Sequence, residues 1–153
     1  MAISGLVITY NEEKNIGKCI DALFEVCDEV IIVDSLSADN TVKIAEEKGA
    51  KVISQKFLGD GPQRTHGLPF CKNDWILNLD ADEFLDKDAK EFILKGKYLE
   101  GNYDAFSFRV KNFLADELID FSGWYPDHKV RFFNKKTAKP SEAKVHQKIE
   151  TTN

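Results

Sequence analysis

The chain has 153 residues, 42% of them hydrophobic and 31% charged, and its 26 acids against 21 bases leave a net charge of -5. That length and balance fit one domain with a sizeable core and exclude disordered and fibrous classes. The acidic surplus argues against nonspecific nucleic-acid binding, which needs a basic footprint, and no apolar run approaches the roughly 20 residues of a membrane span.

The opening MAISGLVITYNEE has neither the basic start nor the small-residue cleavage site of an export signal, so a cytoplasmic location is expected. Within it, residues 6–10 read as the first strand. Ile16, Cys19, Ile20, Leu23 and Phe24 then recur at i, i+3, i+4, i+7 and i+8, the stripe of an amphipathic helix. Cys19 sits on that stripe. Cys27 and Cys71 are scattered and form no CxxC pair, so all three read as reduced packing thiols rather than metal or redox groups.

Further strands are expected at 30–34, 51–55 and 75–80. Val42 and Ala45 mark a short helix stopped by Gly49, residues 62–72 are helical in part with Pro69 limiting them, and another helix is expected over 88–99. VIIVD and WILNLD are continuously apolar, which suits strands covered on both faces of a parallel sheet. The first half therefore reads as an open α/β sheet with right-handed crossovers.

The texture changes after Gly101. Residues 102–113 and 117–121 read as two strands joined by a turn near Ala115 and Asp116, 128–134 as a third, and VHQKIETTN as a last strand with no closing helix. Aromatic residues concentrate here, among them Phe106, Phe108, Trp124, Tyr125, Phe132 and Phe133. One domain with two portions is expected, 1–101 and 102–153.

Ligands of open α/β sheets collect beyond the carboxyl ends of the strands. Those ends carry Thr9 to Glu12, then Asp34, then Asp80 to Glu83. ITYNEEKNIG follows the first strand where a dinucleotide enzyme would place GxGxxG, and its acids leave no turn on which a diphosphate could sit, so dehydrogenase and P-loop readings fall. Asp34 is a candidate for bonding a ribose or base, or else a cap for the SLSADN turn. Asp80 and Asp82, two carboxylates held close, imply a hard divalent cation, Mg2+ or Mn2+, that bridges to substrate phosphates. Phe84 and Leu85 stand where an EF-hand needs an oxygen ligand and a glycine, so that loop is excluded. An aspartyl-phosphate phosphatase with Asp80 as nucleophile stays open. Glu83, Asp86 and Asp88 read as acids opening a helix.

Taken together, ITYNEEKNIGKCI, VIIVDSLSADNT, GDGPQRTHGL and DWILNLDADEFL resemble family 2 glycosyltransferases of the GT-A fold, a mostly parallel α/β sheet with an antiparallel C-terminal portion. GWYPDHKVRFFN and KVHQKIE further resemble the short bacterial enzymes that add sugars to lipopolysaccharide core, although Gln147 stands where that group has an acid. The resemblance implies a metal-dependent inverting transfer from a nucleotide-diphosphate sugar to a glycan or glycolipid acceptor. It implies that residues 1–101 bind the donor and 102–153 face the acceptor. Thr9 and Tyr10 would line the base pocket, Asp34 bond the base, Arg64 lie near the diphosphate, Asp80 face ribose and metal, and Asp82 hold the metal. Asp127 is the candidate base, an alternative to an ordinary turn aspartate, and His146 a candidate late metal or phosphate ligand. Members of the group continue well beyond this point, often with a membrane-associating segment. A shortened chain is therefore expected, with peripheral membrane association in a longer form and nucleotide binding without turnover as the alternative function.

Overall fold

The computed structural model describes residues 2–110, 112–114, 117–119, 127–140 and 149–151. In chain order the elements are β1 (Ile3–Thr9), α1 (Ile16–Phe24), β2 (Glu29–Asp34), α2 (Thr41–Glu47), β3 (Lys51–Ser54), α3 (Asp60–Gly67), β4 (Trp75–Asp80) and α4 (Lys87–Leu94), followed by β5 (Ala105–Val110), β6 (Asn112–Leu114), β7 (Glu117–Ile119), β8 (Asp127–Asn134), β9 (Ala138–Pro140) and β10 (Ile149–Thr151). Six strands form one sheet in the order β3-β2-β1-β4-β8-β5. β1 to β4 run parallel, and β8 enters antiparallel to both β4 and β5. The expected mostly parallel sheet with an antiparallel late portion is what forms.

Continuous burial of β1, β2 and β4 follows from helices on both faces. On one face Ile16, Cys19, Ile20 and Leu23 of α1 pack on Val7, Ile32 and Leu77; Phe24, placed on the same stripe by periodicity, stays 37% exposed at its margin. The other face receives α3 over Leu6, Ile31, Val33 and Ile76. Consecutive Phe132 and Phe133 of β8 go to opposite faces, as the period of two requires. Phe132 lies 5.0 Å from Trp75 and 4.9 Å from Tyr98, ring centroid to centroid, and so fastens β8 to the parallel half. Phe132 and Phe133 are core.

Several boundaries differ from expectation. α4 stops at Leu94 because Gly96 takes a left-handed conformation (φ 68°), and a short 3-10 turn at Lys97–Leu99 follows. The single strand expected at 102–113 is two, β5 in the main sheet and β6 paired with β7. β9, paired with β10, is not expected from the sequence, being three residues long and ending in Pro140, which argues against a strand.

α3 approaches the sheet closely because it presents Gly67. A methyl added there would lie 2.6 Å from Leu6 Cδ1 and 2.7 Å from Val33 Cγ2, inside van der Waals contact. Gly67→Ala is expected to cost about 1–3 kcal/mol by overpacking. Thermal unfolding of the two proteins measures it as a lower Tm.

Candidate active site

The parallel register decides which residues meet. Thr9 pairs with Asp34 and Ile8 with Asp80, so the ends of β1, β2 and β4 lie at one edge. A cavity of about 600 Å³ opens there, lined by Thr9, Tyr10, Phe57, Arg64, Asp80 and Asp82 among others. β8 runs antiparallel to β4, so Asp127 begins it at the edge where β4 ends.

Alternation along β4 turns Asn78 and Asp80 toward α3, and Arg131 is the residue of β8 skipped at the irregularity in its register with β5. Arg64 of α3 is only 4% exposed. Its Nη1 donates to Asn78 Oδ1 and its Nη2 to Asp80 Oδ1. Arg131, 7% exposed, places Nη2 3.5 Å from Asp80 Oδ2 and forks Nε and Nη2 over Glu83 Oε1 and Oε2, both at 3.1 Å. Glu83 Oε1 also accepts the Asp80 N–H at 2.7 Å. Two buried guanidiniums thus face two carboxylates. At 4% exposure Arg64 is part of the cavity wall and not a surface residue of α3.

Two hydrogen-bonding groups at this cavity are left over. Thr9 Oγ1 and Arg64 Nε are buried with no hydrogen-bond partner among the described residues. An unmet buried donor costs about 1–3 kcal/mol, so such groups mark places where a ligand or water belongs.

The NEE and SLSADN segments clasp each other. Asn11 N–H donates to Ser37 Oγ at 2.8 Å, Ala38 N–H to Asn11 Oδ1 at 2.8 Å, and Glu12 N–H to Thr41 Oγ1 at 2.8 Å. Asn11 and Leu36 hold positive φ (50° and 63°) to permit it. Asp39 accepts from the Thr41 hydroxyl and from nearby amides, which lowers its pKa. Asp34, 1% exposed, accepts from Ser37 N–H at 2.9 Å and Ser37 Oγ–H at 2.5 Å. It caps the turn, and Ser35 beside it lines the cavity.

The profile described as Glycosyl transferase family 2 matches residues 4–145. The chain belongs to that family. A Rickettsia felis protein known as an uncharacterized glycosyltransferase is 48% identical over 91 residues, 60% of this chain and 32% of that one. The lipopolysaccharide core biosynthesis glycosyltransferase LpsC of Rhizobium meliloti is 36% identical over 98 residues, 61% of this chain and 36% of its own. Among solved structures, glucosyl-3-phosphoglycerate synthase of Mycobacterium tuberculosis in complex with Mn2+, UDP and glucosyl-3-phosphoglycerate is similar at a TM-score of 0.52 and 27% identity, over 65% of this chain and 40% of that one. The sheet is the GT-A arrangement. This family 2 glycosyltransferase chain spans about a third of the length of the curated relatives it matches.

Of the residues singled out from the glycosyltransferase motifs, the fold brings Thr9, Tyr10, Arg64, Asp80 and Asp82 to one cavity. Asp34 stands at the same edge without lining it. Asp127 is described as the first residue of β8, whereas His146, Gln147, Trp124 and Tyr125 lie outside the described residues. Sequence reasoning missed Arg131, and it assigned Glu83 to the helix start when Glu83 instead holds Arg131. The available signal was a lone cation inside the apolar run VRFF. Gln63 was missed too; fully buried, it accepts Leu58 N–H and donates to Ser35 Oγ and the Gln55 carbonyl, fixing the loop that carries Phe57.

No cluster of three or more His, Cys, Asp or Glu side chains suited to a metal occurs among the described residues. Asp80 and Asp82 alone still fit magnesium or manganese, which bind through one or two carboxylates and take their other ligands from phosphates and water. No described helix is long and apolar enough to cross a membrane.

Cys19 packs beneath this site with Sγ 3.6 Å from the Asp80 carbonyl. Burial, helped by Glu83, Asp82, Asp80 and Glu12, pushes its thiol up to about 12, and burial does the same for Cys71. Each raised pKa stabilises the fold fully below 9.0, the ordinary value, and that contribution is lost as pH rises toward about 12. Denaturant midpoints measured from pH 8 to 11 are expected to fall, and the native thiols to stay unreactive toward Ellman's reagent at pH 8.

Proposed function

We propose that the chain is the catalytic GT-A portion of a metal-dependent inverting glycosyltransferase, which moves a sugar from a nucleotide diphosphate to a cell-envelope glycan or lipopolysaccharide acceptor. The observation that carries this is the buried Arg64, with an unmet Nε–H, lining one cavity with Asp80 and Asp82. A permanent cation with a spare donor suits a diphosphate oxygen. Carboxylates across the cavity suit the cation that such a diphosphate carries.

On this basis Thr9 and Tyr10 take the nucleobase side, with the unmet Thr9 hydroxyl as a donor or acceptor, and Asp34 bonds the base while it orders its turn. Asp82 and Asp80 hold the divalent ion, with His146 as a further ligand. When bound, that ion supplies charge neutralisation on the departing diphosphate. Inversion needs one displacement and therefore one base on the acceptor hydroxyl. Asp127, at the edge where β4 ends, is that base. Residues 1–101 serve the donor and 102–153 the acceptor. The Mn2+ and UDP in the similar mycobacterial synthase support the cofactor and donor class, and LpsC supports the acceptor class. The same function keeps the protein in the cytoplasm, at the inner face of the membrane for a lipid-linked acceptor.

The second reading is nucleotide binding without turnover. Sugar release from a panel of nucleotide sugars separates the two, since binding with no release selects the second. For either, UDP with Mn2+ at about 100 times its Kd is expected to stabilise the fold by about 2.7 kcal/mol. Thermal shift reads this as several degrees, lost with a chelator and in Asp82→Ala. An equal UDP shift with and without Mn2+ would remove the metal from the proposal.

A further inference from the structure

Asp80 offers its carboxylate to two cations before any metal arrives. Oδ1 takes Nη2 of Arg64, and Oδ2 lies 3.5 Å from Nη2 of Arg131. Arg131 is held there by its fork on Glu83, and Glu83 is held by accepting the Asp80 N–H. A divalent ion brought to Asp80 therefore meets two fixed positive charges at close range, on guanidiniums that are themselves buried. Asp82, two residues on, is exposed at the cavity.

We propose that Arg131, locked by Glu83, holds Asp80 out of metal coordination until an anionic diphosphate offsets the guanidinium charge, so that metal and nucleotide bind as a pair. This rests on the donor function above. Arg131 is a positioning residue that acts through Asp80. The unmet Nε–H of Arg64 gives the anion a landing point on the same guanidinium that restrains Asp80. Linkage then makes the effect reciprocal: nucleotide raises metal affinity by the factor by which metal raises nucleotide affinity.

Electron paramagnetic resonance of free Mn2+, titrated with protein alone, tests this without nucleotide or turnover. Arg131→Gln combined with Glu83→Gln removes one cation and one anion and keeps an acceptor for the Asp80 N–H. This pair is expected to bind Mn2+ at least about ten-fold more tightly than the wild type, the ordinary size of a coupling between sites. Adding Asp80→Asn is expected to return weak binding, and Arg131→Lys, which keeps the charge, to stay near wild type. Equal Mn2+ affinity in the pair and the wild type overturns the proposal, as does tight binding that survives Asp80→Asn. If the pair does not fold, Arg131→Gln alone is expected to tighten Mn2+ binding several-fold and to lose that gain with Asp80→Asn, and no change overturns the proposal equally. Failure of the donor function would look different: UDP would give no response in the wild type with Mn2+, whatever the Mn2+ titration shows.

Discussion

Asp80 ends a central strand with its carboxylate shared by two buried guanidiniums, and the placement of three elements depends on that sharing. α3 brings Arg64, β8 brings Arg131, and the turn after β4 brings Glu83 to restrain Arg131. None of the four charges is affordable in isolation, because an unpaired ion in a buried setting loses several kcal/mol of hydration. Together they make a nearly neutral set that can sit against an apolar sheet. Asp80 keeps 38% of its side chain exposed, so its own ion pairs are screened and their net contribution is small. What the network supplies is a fixed direction for one carboxylate.

A second network works on the opposite wall. The polar residues that follow β1 and β2 are spent largely on each other: Asn11 with Ser37 and Ala38, Glu12 with Thr41, Asp39 with Thr41. The Asn11 and Asp39 side chains bond within the loop pair, whereas Glu12 lines the cavity together with Thr9, Tyr10 and Ser35. Positive φ at Leu36, an uncommon state for a branched apolar residue, is the strain that the clasp sustains.

Much of this was legible in the sequence, and for a physical reason. Continuous apolar strands and an i, i+3, i+4 stripe report burial on two faces directly, and strand ends in a parallel sheet must share an edge, which places Thr9, Asp34 and Asp80 together. The α1 stripe failed only at Phe24, where the sheet margin leaves nothing to cover it. Partners across long separations were not legible. Glu83 and Arg131 are 48 residues apart, and nothing local distinguishes an acid that opens a helix from one that holds a distant arginine. Asp86, by contrast, caps α4 by accepting Ala89 N–H at 2.9 Å, as its position suggested. Turn residues such as Gly96 likewise decide boundaries that periodicity alone runs past.

β8 is a strand of the common sheet and also the carrier of one of its site charges. The aromatic contacts of Phe132 with Trp75 and Tyr98 that seat it are apolar and far simpler than the chemistry at the edge they support. Each time β8 parts from β4, Arg131 departs with it and Asp80 loses that counter-charge. The ion-binding behaviour of the cavity is therefore a gauge of how firmly a neighbouring seam of the sheet is closed.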